Sequence, residues 1–414
     1  MPRRSRKRHV RCPQCKSLST VRNGSRSLRA VSLERHVERR VQCYRCRECG
    51  EYFSCRKEKH KKYSFGFKAE LARMHVEERM SYRVMAKRIG EKTGKQIGPS
   101  VLCGMVNEVA RQTKSSWHIQ QEYQPQWTGY LVVDDKYLNK QHKALMSLIA
   151  LDSTGDAVHS EVLQEPTQEH IENFFVYIRD RLEYPIKGIT TDMDDRLGRA
   201  IERVFTGQIP HQLCIWHALE SVRGMLGYGQ LARQKAILER QEVRLMENVL
   251  QWRVVEQRQQ LRGELERVRL CYDKQRRLLM IIGQMLYAKK HSESLALLRK
   301  LESRDGKTYP QVIAFLKAHL DGLTMHQLDG RLEKTSNRAE NFNKQLQRRF
   351  KTIESFQSPE TAFNYLNLLR NYLRFKPFTD CRVHARQRNG RSPIELCNVK
   401  LTHHNWLRHA LVWV

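Results

Sequence analysis

Between residues 128 and 220 the chain breaks into short apolar runs, and their order restricts the fold more than any other feature. "GYLVVDDKYL", "ALMSLIALD", "AVHSEVL", "IKGITTD" and "IPHQLC" read as five short strands. "TQEHIENFFVYIRDRL" reads as a helix between the third and fourth strands. Thr167 is its candidate N-cap, and Ile171, Phe174, Phe175 and Ile178 form its apolar face. "DDRLGRAIERVF" reads as a second helix, between the fourth and fifth strands. Three hairpin-linked strands followed by β-α-β-α-β predict a mixed α/β sheet.

The fourth strand runs into Asp192, Asp194 and Asp195, and the first ends in Asp134 and Asp135. Aspartate is common where strands end, so a solvated turn is one explanation. A carboxylate holding a metal ion is the other. The chain around these acids is strongly basic, with 75 Lys+Arg against 44 Asp+Glu and a net charge of +31. Such an excess favours a polyanionic partner through phosphate contacts and counterion release. Residues 1–62 alone hold 20 Lys/Arg against 5 Asp/Glu. No apolar run approaches the ~18–20 residues of a membrane helix, and no lipidation motif or secretory signal is visible. No membrane partner is therefore expected.

The basic front contains two CxxC knuckles, Cys12/Cys15 and Cys46/Cys49. Each knuckle can turn two thiolates toward one ion, and two complete a tetrahedral Zn²⁺ site. The stretch between them is longer than a usual zinc ribbon but hairpin-like, and Cys43 and Cys55 are spare thiols that could substitute as ligands. Metal-like spacing of this kind points to a reducing compartment rather than to disulfides. Next, "FKAELARMHVEERM" carries Phe67, Leu71 and Met74 at helical spacing. Ser81 is a candidate N-cap for a helix with Val84, Met85 and Ile89, and another helix begins after Pro99 and Ser100. Helix, turn and helix outline a helix-turn-helix DNA-binding domain, with an ordinary helical hairpin as the alternative.

Residues 218–325 are helical and rich in Arg, Gln, Glu and Leu, a composition expected of solvated helix faces. A further helix is expected to start near Ser336 in "TSNRAENFNKQLQRRF". The expected divisions are 1–62 (zinc ribbon), 63–125 (helix-turn-helix), 126–220 (first part of an α/β core), 221–328 (helical insertion) and 329–414 (last core helix and tail).

In this order, three features resemble the DDE transposases with a ribonuclease-H-like core, especially Mutator-like and related bacterial insertion-sequence enzymes. They are "YLVVDD", then "GITTD…LGRAIERVF…HQLCIWH", then "SNRAENFNKQLQRRF". The zinc ribbon and helix-turn-helix ahead of the core also look like that family's DNA-binding front end. The resemblance covers nearly the whole chain.

Carried over position by position, it implies Asp134, Asp192 and Glu340 as the catalytic acids and as ligands of Mg²⁺ or Mn²⁺. Neighbouring strand residues face opposite sides of a sheet, which leaves Asp134 or Asp135 open; the family pattern favours the first. Cys214 and His217 form a CxxH pair that would support the site. Asn337 and Arg338 would position Glu340 or touch a phosphate, unless Ser336 or Asn337 caps the helix. Trp216 is expected in the core, with stacking on an unpaired base as its alternative. Mg²⁺ takes hard oxygen ligands, and two such ions suit in-line phosphoryl transfer.

The implied activity is cleavage at the terminal inverted repeats of a mobile element, followed by joining of the 3′-hydroxyl to target DNA. The partner would be double-stranded DNA, and a homodimer or larger assembly is expected because two ends must be brought together. The expected location is the cytoplasm, at the nucleoid. A non-catalytic DNA-binding regulator and a structure-selective nuclease of the same fold are the alternatives.

Overall fold

The computed structural model describes residues 10–31, 36–54, 63–138, 145–247, 252–353, 356, 358–403 and 405–412. The chain divides into two compact units. One comprises 1–113, 349–354 and 407–414; the other comprises 114–348 and 355–406.

In the first unit, β1 (Thr20–Val31), β2 (His36–Cys46) and β3 (Tyr52–Ser54) form an antiparallel sheet in the order β1-β2-β3. Three helices follow, α1 (Phe65–Val76), α2 (Tyr82–Thr93) and α3 (Pro99–Ala110). Ser64 and Ser81 cap α1 and α2 by accepting from the amides of Phe67 and Val84. Gly94, at a φ of 67°, ends α2 in the left-handed conformation that glycine adopts without steric cost. Phe67, Leu71, Met74, Met85 and Ile89 are buried as expected, together with Leu102, Met105, Val106 and Val109 of α3. Val84 departs from the expectation. It lies on the solvent side of α2 and is 52% exposed.

The second unit contains a five-stranded mixed sheet and many helices. Helix α4 (Ser116–Tyr123) leads into β4 (Tyr130–Tyr137), β5 (Leu145–Asp152) and β6 (Ala157–Gln164). Helix α5 (Gln168–Val176) comes next, with Thr167 as its N-cap, then β7 (Gly188–Thr191), α6 (Asp195–Phe205) and β8 (His211–Leu213). The sheet order is β6-β5-β4-β7-β8. The first three strands pair antiparallel, while β4, β7 and β8 run parallel. Leu131 and Val133 of β4 pack with Met146, Leu148, Ile171, Phe174, Phe175, Leu197 and Ile201. That core therefore lies on the α5/α6 side of the sheet.

Helices α7 (Ile215–Met225), α8 (Tyr228–Glu247), α9 (Trp252–Leu286), α10 (His291–Asp305) and α11 (Pro310–Thr324) follow. Ile215, Val222, Ile282, Met285, Leu298, Leu316 and Leu320 form a core of their own. Along α8 and α9 the buried contact narrows to Leu238, Leu265 and Val268, flanked by the ion pairs Arg269–Glu239 and Arg262–Glu242. Helix α12 (Asn337–Ile353) carries Glu340 in its first turn, and α13 (Pro359–Phe375) is capped by Ser358. No helix among the described residues is long and apolar enough to cross a membrane.

Candidate active site and metal centres

Strand register builds the acidic site. In the parallel pair β4·β7, Val132 lies opposite Thr190. Two residues further along each strand are Asp134 and Asp192. Side chains alternate with period two, so this register sets both carboxylates on one face, Asp134 within β4 and Asp192 just past the end of β7. Their carboxyl oxygens and that of Asp135 lie within 4.8 Å of one another. Asp192 stands at the carboxyl end of β7, the side on which open α/β sheets place their ligand sites.

The segment before α12 crosses the same strand ends. Thr190 Oγ1 donates to the carbonyl of Glu333 at 2.8 Å, and the Ile215 amide donates to that of Lys334 at 3.0 Å. Glu340 is thereby held near His217, with Oε1 3.9 Å from Nε2. That oxygen is buried and has no hydrogen-bond partner among the described residues.

Asp134 and Asp135 have different surroundings. Asp134 accepts from Asn343 Nδ2 at 2.8 Å and senses the charges of His217 and Glu340. Asp135 shares the face of Leu131 and Val133, and its nearest cation is Arg196 of α6, 3.7 Å away. Burial, then the charge of Asp192, raises the carboxyl of Asp134 to about 6 and that of Asp135 to about 7. Burial also raises Asp192. Converging, desolvated carboxylates repel one another until a cation joins them. These three aspartates could bind a divalent metal with oxygen ligands, whereas Glu340 is not among the carboxylates within 4.8 Å of one another. Asp194 is the N-cap of α6, accepting from the Arg196 amide at 2.8 Å, and Asp195 opens its first turn.

The CxxH pair adjoins these acids. The Cys214 amide donates to Thr191 O at 2.8 Å, which fixes the end of β8 against the end of β7. A hydrogen bond with Cys214, then the charges of Cys214, Asp192 and Glu340, raises His217 to about 8 against the opposing effect of burial. Burial raises the Cys214 thiol, but hydrogen bonds from His217 and Ser336 outweigh it and leave the pKa lowered. Ser336 donates its amide to Cys214 Sγ at 3.3 Å, and its hydroxyl lies 3.4 Å from His217 Nδ1. Arg338 is held by Glu333 at 2.7 Å, and Asn337 is exposed.

Trp216 corrects an expectation. It lies on the surface of α7, 41% exposed, with its ring edge against His217. Asn343 is the residue that sequence reasoning missed. Its only sequence signal is its place three residues after Glu340, on the same helix face.

The second cluster lies in the first unit. Cys12, Cys15, Cys46 and Cys49 offer four sulfurs within 4.8 Å of one another. Cys12 Sγ is 3.5 Å from Cys49 Sγ, and Cys15 Sγ is 3.5 Å from Cys46 Sγ. The two knuckles have the same backbone. The amides of Cys12 and Cys46 donate five residues ahead to Ser17 O and Glu51 O, and their carbonyls accept from Lys16 and Gly50. Lys16 and Gly50 both turn left-handed, at φ of 61° and 74°. The backbone amide of Cys49 lowers the Cys46 thiol to about 7. Four sulfurs at this spacing could bind zinc. Cys43 points to Val41 O and is not in the cluster, and Cys55 lies outside the described residues.

No protein-family model matches the chain, and no curated protein matches it.

Proposed function

We propose that the chain is a DNA transposase with a ribonuclease-H-like catalytic core, a zinc ribbon and a helix-turn-helix. The observation that carries this proposal is the register that levels Asp134 with Asp192, next to a helix presenting Glu340. The mixed sheet order and the four-cysteine cluster in a basic front end support it further. Asp134, Asp192 and Glu340 would hold Mg²⁺ or Mn²⁺, and the sulfurs of Cys12, Cys15, Cys46 and Cys49 would hold Zn²⁺. When bound, the divalent ions supply activation of the attacking oxygen and stabilisation of the leaving one.

The chain's own residues do the rest. Lys and Arg, in excess across the sequence, neutralise DNA phosphates. Cys214 and Ser336 hold His217, which places a positive charge beside Glu340. The exposed ring of Trp216 offers a surface for an unstacked base.

The test uses DNA carrying the terminal repeats that flank the coding sequence. With Mg²⁺, wild-type protein should cut these ends and join the 3′-hydroxyl to a second duplex, while Asp192→Asn binds DNA but does not cut. Cleavage retained by Asp192→Asn would remove that residue from the site. Cutting without joined products would favour a nuclease, and binding without cutting would favour a regulator.

A further inference from the structure

We infer that Asn343 is a positioning residue that acts through Asp134, fixing the direction in which this carboxylate meets the divalent cation; the inference rests on the function proposed above. Asn343 is 4% exposed and lies on α12 three residues beyond Glu340. Residues three apart on a helix share a face, so the turn that delivers Glu340 also delivers this amide. Nδ2 lies 2.8 Å from Asp134 Oδ2. An ionised carboxylate can only accept, so the amide nitrogen must face it. This bond occupies one oxygen of Asp134 and leaves the other for a cation. It also ties α12 directly to β4.

The other end of the amide is informative. Asn343 Oδ1 is buried and has no hydrogen-bond partner among the described residues. An orphaned buried acceptor is destabilising. An asparagine used only for packing would be better replaced by leucine. Here one donor is used on Asp134, and one acceptor is kept for a hydrogen-bond donor in the occupied site. Among the described residues Asp135 has no such bond, and Arg196 lies 3.7 Å from it. The two neighbouring aspartates therefore differ in what orients them, and only Asp134 is oriented by the helix that also carries Glu340.

The experiment titrates Mn²⁺ into the full-length protein by calorimetry and follows DNA-end cleavage against Mn²⁺ concentration, for wild type, Asn343→Leu and Asn343→Gln. Leucine preserves volume without a donor. Expected is a loss of Mn²⁺ affinity of about 10–100-fold, the usual scale for partners of metal ligands. DNA affinity should stay unchanged, and cleavage should recover when Mn²⁺ is raised by the same factor. Glutamine, which keeps a donor one methylene further out, should fall between leucine and wild type. Should leucine prevent folding, Asn343→Ser, too short to reach Asp134, carries the same expectation. Unchanged Mn²⁺ affinity in a folded variant, or cleavage that stays low at saturating Mn²⁺, overturns the inference while leaving the transposase proposal intact. Failure of the wild type to bind Mn²⁺ would overturn both.

Discussion

The four thiols and the four carboxylates are assembled in opposite ways. Each thiol knuckle is a local turn, and a single hairpin brings the pair together. The carboxylates of residues 134, 135 and 192 meet only when separate strands have packed, and a late helix brings Glu340 beside His217. One cluster resembles a closed structural site, with four sulfurs directed at a single centre. The other is open and oxygen-rich, with carboxyl oxygens of Asp134, Asp135 and Asp192 within 4.8 Å of one another. Metal should therefore make the first unit's sheet fold. In the second unit a metal would instead relieve a repulsion among carboxylates that the fold has already brought together.

The largest expected effect separates the two. Apparent zinc-binding energies in small domains reach about 10–16 kcal/mol, and that energy is folding energy. Stripping zinc with a chelator should unfold the β1–β3 sheet and leave the thermal transition of the second unit in place. Circular dichroism with metal analysis should find one zinc per chain before treatment. A sheet that survives at zero zinc would break the comparison.

Substitution at the open site should act on chemistry rather than on folding. Asp192→Asn is expected to lower end cleavage by at least about a thousandfold, the scale on which removing a key charge-stabilising group acts. DNA affinity and zinc content should not change. A gel assay alongside a binding titration reads both.

The carboxylates should also destabilise the metal-free protein. Asp134 and Asp135 are raised to about 6 and about 7, above the ordinary 3.8. Groups with a raised folded pKa contribute stability below pH 3.8 that is lost as pH rises through 6 to 7. Asp135→Asn should then stabilise the metal-free protein at pH 8 by on the order of 2 kcal/mol, a rise of several degrees in Tm. The gain should vanish near pH 4. An equal gain at both pH values would assign the effect to packing.

At the small end, Cys43→Ser should leave zinc content unchanged and shift stability by no more than about 0.5 kcal/mol. A drop in zinc content would return Cys43 to the ligand set.

How readily each part is seen in the sequence follows the same division. The knuckles are visible because their spacing is their geometry. The strands are visible from alternation, and Thr167, Ser81 and the apolar faces of their helices from capping chemistry and period. The levelling of Asp134 with Asp192 depends on strand register, which is a pairing property and has no local signal. Asn343 is an unremarked helical residue until Asp134 is packed against it. Val84 and Trp216 mislead because apolar character does not require burial; much of any folded surface is apolar. The π-helical turn Tyr177–Arg181, inside what reads as one uniform helix, has no sequence mark either.

The most direct measurement is anomalous diffraction from crystals of the full-length protein soaked in Mn²⁺. Manganese peaks are expected within roughly 2.0–2.3 Å of carboxyl oxygens of Asp134 and Asp192, with Glu340 turned toward the same ions. Peaks confined to surface carboxylates, with these three side chains unliganded at saturating Mn²⁺, would contradict a two-metal phosphoryl-transfer site.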